Sequence, residues 1–470
     1  MPKLACIQSA AWHPRWSDCG FRVFIYAALI SLNVVSGLGM SPLWAADLYV
    51  DATGGANGGD CRASPCATIF YAVGASQAED VIHVAAGTYA ESNIVVAHDL
   101  TIAGEDALTT VVDANGLGRI FDVGTAHFIV SSLTLTNGEV GIDEGGAIRF
   151  VGGELEVFYS RFLDNVAPTG GAVGAPVGGD LTFEGCEFNS NEADEALGGA
   201  IACLTCSSVV VRNSELSRNW AKLLGGAIYV DGGQPPMLPE NPVAAQSSLI
   251  VKSSLIANNS AGESGGGIAT RDTEVLVQRT TLAKNTAELY DGGGIIFMNE
   301  WAAGELTIDR STLSYNEALT AGGAVTAVGF APASLFNSTF SQNSAGCGGG
   351  LHMALGLFGA PEVSVVNSTY FGNLGLQGGC PQQVSNGMGV FRIYNSIAHG
   401  GTAGQPVCSA AAVAGSHNLI DDASCDTGAA SFNLGAVTLL DPALRLNGGP
   451  TKTHTLGYTL IPASDLLPPI

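Results

Sequence analysis

From about residue 150 to residue 375 the chain runs in short stretches rich in Val, Ile, Leu, Thr and Phe that alternate with polar residues, as in SSVVVRNSEL, SSLIVKSSLI, ELTIDRSTL and ASLFNSTF. Alternation over segments this short, bounded by Gly and Asn, predicts half-buried strands. Helices are disfavoured further, because each of the 63 glycines in 470 residues would cost a helix interior about 1 kcal/mol.

The strands come in phrases. The pattern [Ser/Thr/Cys]-x-[apolar]-x-x-Asn-x-Ala occurs as SRFLDNVA, CEFNSNEA, SELSRNWA, SLIANNSA, TTLAKNTA, STLSYNEA and STFSQNSA, with STYFGNLG as a weaker copy. Its asparagines are Asn165, Asn191, Asn219, Asn259, Asn285, Asn316, Asn343 and Asn373, spaced by 26, 28, 40, 26, 31, 27 and 30 residues. A glycine pair follows each phrase, Gly198-Gly199 and Gly225-Gly226 among them. Repeats of this length signal stacked units, and 26 to 30 residues suit one coil of a parallel β-helix with about three short strands. The expected fold is an all-β solenoid with like residues stacked in columns. Asn and Gly serve its corners, where φ is positive, and Asn in register can pass amide hydrogen bonds from coil to coil. The 40-residue interval contains DGGQPPMLPENPVAAQ, residues 231–246, whose prolines cannot donate to a ladder. It is expected to leave the coil as a loop on one face.

Arg22 precedes VFIYAALISLNVVSGLGM, and small residues follow, so residues 1–46 read as an export signal cut near Ala46, with a retained anchor as the alternative. Of the 11 cysteines, Cys61 with Cys66 and Cys408 with Cys425 are the candidate disulfides of an exported chain. Cys203 and Cys206 have the spacing of half a zinc site or a redox pair, but no companion motif accompanies them. A net charge of −24 argues against nucleic acid and anionic membranes, where Lys and Arg supply affinity. No cofactor is indicated, and weak Ca²⁺ binding stays open among so many carboxylates. Residues 47–97 are expected to form an N-terminal cap and first coil, with Ile69, Tyr71 and Ala72 on a short helix plugging the end. Residues 98–380 carry the coils, and 381–470 the last coils and a C-terminal cap.

The Asn and GGAI phrases resemble the repeats of chlamydial polymorphic outer membrane proteins. The opening VDATGG…CATIFYAV…AGTYAES resembles bacterial right-handed parallel β-helix proteins, and Asp441-Pro442…Asn447-Gly-Gly-Pro450-Thr451-Lys-Thr453-His454 resembles a choice-of-anchor Q domain. The resemblance implies a right-handed, pectate-lyase-like solenoid, secreted or at the cell surface or outer membrane. It implies no defined reaction.

Many such helices are polysaccharide lyases or glycoside hydrolases, which need paired carboxylates or clustered Asp with a base. The acidic candidates are Asp309 beside Arg310, Glu274 with Arg279, and Asp421-Asp422; the histidines are scattered singly. No catalytic, cofactor-binding or metal residue is assigned on this pattern. The sequence points to a monomeric, exported adhesive or carbohydrate-binding solenoid with surface glycans or cell-envelope components as partners and no membrane span once the signal is removed. A β-helix lyase or hydrolase is the alternative.

Overall fold

Each alternating segment pairs in parallel with its equivalent one coil away. The computed structural model describes residues 45–233, 247–300 and 304–378 except 331 and 358, then 380–387, 389–400, 405–409, 414–425, 432–433, 440, 443–446 and 451–454. The expected signal segment up to residue 44, residues 234–246 of the insertion, and Asp441-Pro442 and Asn447–Pro450 of the tail motif lie outside these. Among the described residues the strands fall into three sheets of 23, 14 and 8 members. One turn shows the plan: Ile201–Leu204 and Ser208–Arg212 lie in the large sheet, Glu215–Ser217 in the second, and the two-residue Trp220–Ala221 in the third.

The interior is built from columns. Phe162, Phe188, Leu216, Ile256, Leu282, Leu313, Phe340 and Tyr370 follow one another in register through the second sheet, all fully buried. Phe162 stacks on Phe188, and Phe340 on Tyr370, at 4.5 Å between ring centroids. Burying each side chain is worth about 2 kcal/mol, and the parallel register brings each ring to the next without further ordering.

The repeat asparagines stand just inside the corner between the second and third sheets. Asn165 through Asn373 are at most 1% exposed, and each amide group of the series donates to the next: Asn219 Nδ2 to Asn259 Oδ1, Asn259 to Asn285 and Asn285 to Asn316, all at 2.9 Å. The second Nδ2 hydrogen goes to a main-chain carbonyl of the preceding coil, as from Asn285 to Ile256 at 2.9 Å. The positive φ expected of these asparagines belongs instead to the residue before each: Asp164, Ser190, Arg218, Asn258, Lys284, Tyr315 and Gln342 have φ between 53° and 58°. That left-handed residue turns the chain, and the turn aims the following Asn inward.

The Ser/Thr/Cys position that opens each phrase forms a second buried ladder. The main-chain N–H of Ser254 donates to Thr280 Oγ1, that of Thr280 to Ser311 Oγ, that of Ser311 to Ser338 Oγ, and that of Ser338 to Ser368 Oγ, at 3.1–3.4 Å. Cys186 holds one place in this column, at 3% exposure, and is a free thiol.

The glycine pair solves two problems at once. Gly225 has φ +71°, and a Cβ on Gly226 would stand 2.1 Å from the Gly266 carbonyl oxygen of the next coil. The first glycine makes the turn and the second lets adjacent coils touch.

The start of the solenoid is closed by helix α1 (Ile69–Ala75), whose Ile69, Ala72 and Val73 are buried in the core while Tyr71 packs at its edge. Thr68 caps it by accepting the Tyr71 N–H, and Glu91 accepts the N–H groups of Ile69 and Phe70 at 2.9 and 2.6 Å. Burial pushes the Glu91 carboxyl pKa up against these two bonds. At the other end, Thr451 to His454 run along the flank of the second sheet: the Lys452 carbonyl accepts Thr312 Oγ1 at 2.6 Å, and His454 meets Ser341 Oγ at 2.8 Å and the ring of Phe371 at 4.3 Å. His454 therefore closes a side of the coil stack instead of its end.

Disulfides join Cys61 to Cys66, Cys203 to Cys206, Cys347 to Cys380 and Cys408 to Cys425. The bond between Cys203 and Cys206 takes both sulfurs out of metal ligation, so the zinc reading of that pair does not hold. Among the described residues no helix is long and apolar enough to cross a membrane.

Candidate functional site

The N-terminal coils present a concave patch on the outer face of the large sheet, built on three paired strands: β1 (Asp47–Val50), β2 (Asp80–Val84) and β3 (Leu100–Gly104). Their inward residues, Leu48, Val50, Ile82, Val84, Leu100 and Ile102, are core. The alternate positions must then face outward, and register aligns Tyr49, His83 and Ala103 across the three strands. Tyr49 and His83 stack with ring centroids 5.3 Å apart and planes 22° from parallel. His83 Nε2 lies 2.8 Å from the Asp47 carboxylate, which fixes the imidazole on its tyrosine neighbour.

A cavity of 360 Å³ opens beside the ring pair, lined by Tyr49, His83, Pro65, Ala103, Gly104 and the carboxylates Asp51 and Glu105 among others. The small outward residue Ala103 leaves the floor low beside the rings, whereas Gly104 answers to the next coil, where a Cβ would stand 2.2 Å from the Ser132 carbonyl oxygen. The Cys61–Cys66 loop builds the far wall. Tyr49 N–H donates to the Cys61 carbonyl at 2.8 Å, Cys66 N–H to the Tyr49 carbonyl at 2.8 Å, and Asp51 N–H to the Cys66 carbonyl at 2.9 Å. The disulfide loop thereby covers the exposed edge of β1, a place where unpaired strands invite aggregation, and sets Pro65 against the cavity.

Beneath it, the buried Tyr89 hydroxyl donates to the Ala85 carbonyl at 2.8 Å and receives the Ala52 N–H at 3.3 Å. Burial raises its pKa, so it stays protonated as a fixed tie between the two cavity rims. The Asp51 carboxylate accepts the N–H groups of Gly54 and Thr53 and the Thr53 hydroxyl, at 2.8–3.0 Å. These bonds hold its pKa below the ordinary carboxylate value. Glu105 accepts the Ala86 N–H at 3.1 Å. Both groups are anchored as acceptors, a state suited to receiving hydroxyl donors.

The acidic residues singled out from sequence are dispersed. Asp309 lies at a corner of the large sheet, where Asn337 Nδ2, Gln278 Nε2 and Arg310 Nε all donate to it at 2.9–3.1 Å. Glu274 opens the strand Glu274–Gln278 and is exposed, while Arg279 follows the strand at a corner with φ 52°. Asp421 is engaged by His399 at 2.7 Å and Asp422 by the Val407 N–H at 3.0 Å. None of these approaches the N-terminal cavity. Sequence reading passed over Tyr49, Asp51, His83 and Glu105, because the register that unites β1 with β2 spans a disulfide loop and a helix; the alternation in DLYV and DVIHV was the one available signal.

Fold and repeat define a parallel β-helix repeat protein. In comparison with known proteins, a family model described as "Right handed beta helix region" matches residues 147–370. The chain is 38% identical over 65 residues to a metabotropic glutamate receptor-like protein P of Dictyostelium discoideum, an overlap of 14% of this chain and 4% of that protein. Among solved structures it is similar to a rhamnogalacturonan lyase, with a TM-score of 0.38, 13% identity, and coverage of 75% of this chain and 87% of that one. It is also similar to the catalytic domain of an α-1,3-glucanase in complex with nigerose, with a TM-score of 0.30, 9% identity, and 85% and 70% coverage. None of these likenesses assigns an activity to this chain.

Proposed function

We propose that this protein is an exported β-solenoid, secreted or held at the cell surface, that binds carbohydrate on the outer face of its N-terminal coils without altering it. The observation that carries this reading is the Tyr49–His83 ring pair standing beside a 360 Å³ cavity rimmed by Asp51 and Glu105. Sugar rings offer apolar C–H faces that pack on aromatic rings and hydroxyls that donate to carboxylates, and a concave site with a few fixed polar groups suits such a ligand. The held ionisation of Asp51 favours accepting hydrogen bonds over delivering a proton. The four disulfides among the described residues fit an exported chain.

The test is binding of the purified chain from residue 45 onward to a panel of neutral and acidic polysaccharides, with new reducing ends and unsaturated products followed in the same samples. The reading expects retention without turnover, and retention weakened by Tyr49→Ala.

A further inference from the structure

A second group of polar side chains lies farther along the same outer face. Strand β4 (Phe121–Ser131) pairs with β5 (Ile148–Phe158) through ten register positions, which place His127 opposite Glu154, while Glu156 two residues on faces the same side. His127 Nε2 lies 3.2 Å from Glu156 Oε2 and 3.8 Å from Glu154 Oε2, and one ligand atom from each of the three residues lies within 4.8 Å of the others. From this geometry we propose that His127, Glu154 and Glu156 form a binding site for a divalent transition-metal ion of the zinc class.

Three observations carry the assignment. Zinc binds His nitrogen and carboxylate oxygen at about 2.0–2.2 Å, so tetrahedral ligands stand about 3.3 Å apart. The two imidazole-to-carboxylate distances need to change by only a few tenths of an ångström to match. The ligands also rest on neighbouring strands of a long parallel ladder, which fixes their Cα positions before any ion arrives. Lastly, the charge around them is uncompensated. Among the described residues the Glu154 and Glu156 carboxylates share one ion-pair partner, the Nε2 of His127. Asp180 follows Glu154 in register and Asp99 accepts the His127 main-chain N–H at 2.7 Å. The next column over carries Thr101, Ile129 and Thr182 around Glu156. A dication would compensate both glutamates, and the imidazole selects zinc-like ions over calcium or magnesium, which prefer all-oxygen sites. With side chains 42%, 56% and 27% exposed, the site is open to solvent on one side, leaving a coordination position for water or a ligand oxygen.

The experiment is calorimetric titration of the tag-free, chelator-treated chain with ZnCl₂, in parallel with His127→Ala, Glu156→Gln and, as a control on the second sheet, Glu187→Gln. Each variant is first checked for wild-type circular dichroism. The expected result is one Zn²⁺ per chain, weakened about tenfold or more by His127→Ala and by Glu156→Gln, unchanged by Glu187→Gln, and undisturbed by millimolar CaCl₂. Absence of Zn²⁺ binding, binding indifferent to the His127 and Glu156 changes, or displacement of Zn²⁺ by Ca²⁺ would overturn the assignment.

Discussion

Asn285 donates from Nδ2 to Asn316 Oδ1 at 2.9 Å while its own Oδ1 accepts both the Nδ2 and the main-chain N–H of Asn259, at 2.9 and 3.1 Å. Every hydrogen-bonding atom of this buried amide is used, and each bond ties one coil to another. Asn285→Ala would leave Asn259 two donors short of a partner in a dry interior. Each orphaned group costs about 1–3 kcal/mol, so the variant is expected to lose about 3 kcal/mol or more in denaturant unfolding, provided unfolding is cooperative along the coils. Asn285→Asp should do no better, because it exchanges the Nδ2 donor for a carboxylate oxygen facing the Ile256 carbonyl and Asn316 Oδ1.

The glycine pair makes a sharper steric prediction. Gly226→Ala puts a methyl 2.1 Å from a main-chain oxygen of the next coil, and backbone in a paired stack cannot withdraw. A loss of about 3 kcal/mol is expected by denaturant unfolding, whereas the exposed Gly58→Ala, with nothing within 4 Å, serves as the control and should change little.

Asp309 links acidity to stability. Burial works against its ionisation, but the donors Asn337, Gln278 and Arg310 outweigh it and hold the pKa below its ordinary 3.8. A carboxyl depressed in the folded state contributes stability above its unfolded pKa and loses it as pH falls through the folded value. Asp309→Asn, which cannot titrate, should therefore be less stable than the wild type at pH 7, and the gap should close below about pH 4. Denaturation midpoints of both proteins across that range measure it.

Cys186 should be silent in the native protein. Burial pushes its thiol pKa up to about 12, and its Sγ points at the Val157 and Glu184 carbonyls. A chain from residue 45 onward is expected to show no thiol toward an aromatic disulfide reagent when folded and one when denatured without reductant. Cys186→Ser restores a hydroxyl to the column of Ser160 and Ser214, and should leave stability unchanged or raised.

The scaffold was largely legible in the sequence. The Asn series, the paired glycines and the apolar alternation each follow from one local requirement repeated in every coil, so their period reports the stacking directly. Register between unlike segments was not legible. The Tyr49–His83 pair depends on β1 meeting β2 across a loop and a helix, and the His127 site on a Gly152-Gly153 bend inside β5 that brings Glu154 and Glu156 into line. The corner geometry was read one residue out of place: Asn tolerates positive φ, yet Lys284 and Tyr315 occupy that conformation while Asn285 and Asn316 turn inward. The outer amide run, in which Asn395 donates to Asn367, Asn367 to Asn337 and Asn337 to Asp309, was equally invisible, because its members sit among serines and arginines at equivalent corners.

The most direct measurement for the functional account is polysaccharide retention by the chain from residue 45 onward, compared with Tyr49→Ala and with Tyr315→Ala, a tyrosine exposed far along the solenoid. The account predicts a retained glycan, no reducing ends or unsaturated products, affinity about tenfold weaker in Tyr49→Ala and unchanged in Tyr315→Ala. Retention indifferent to Tyr49, absence of retention across the panel, or turnover of any bound polysaccharide would contradict it.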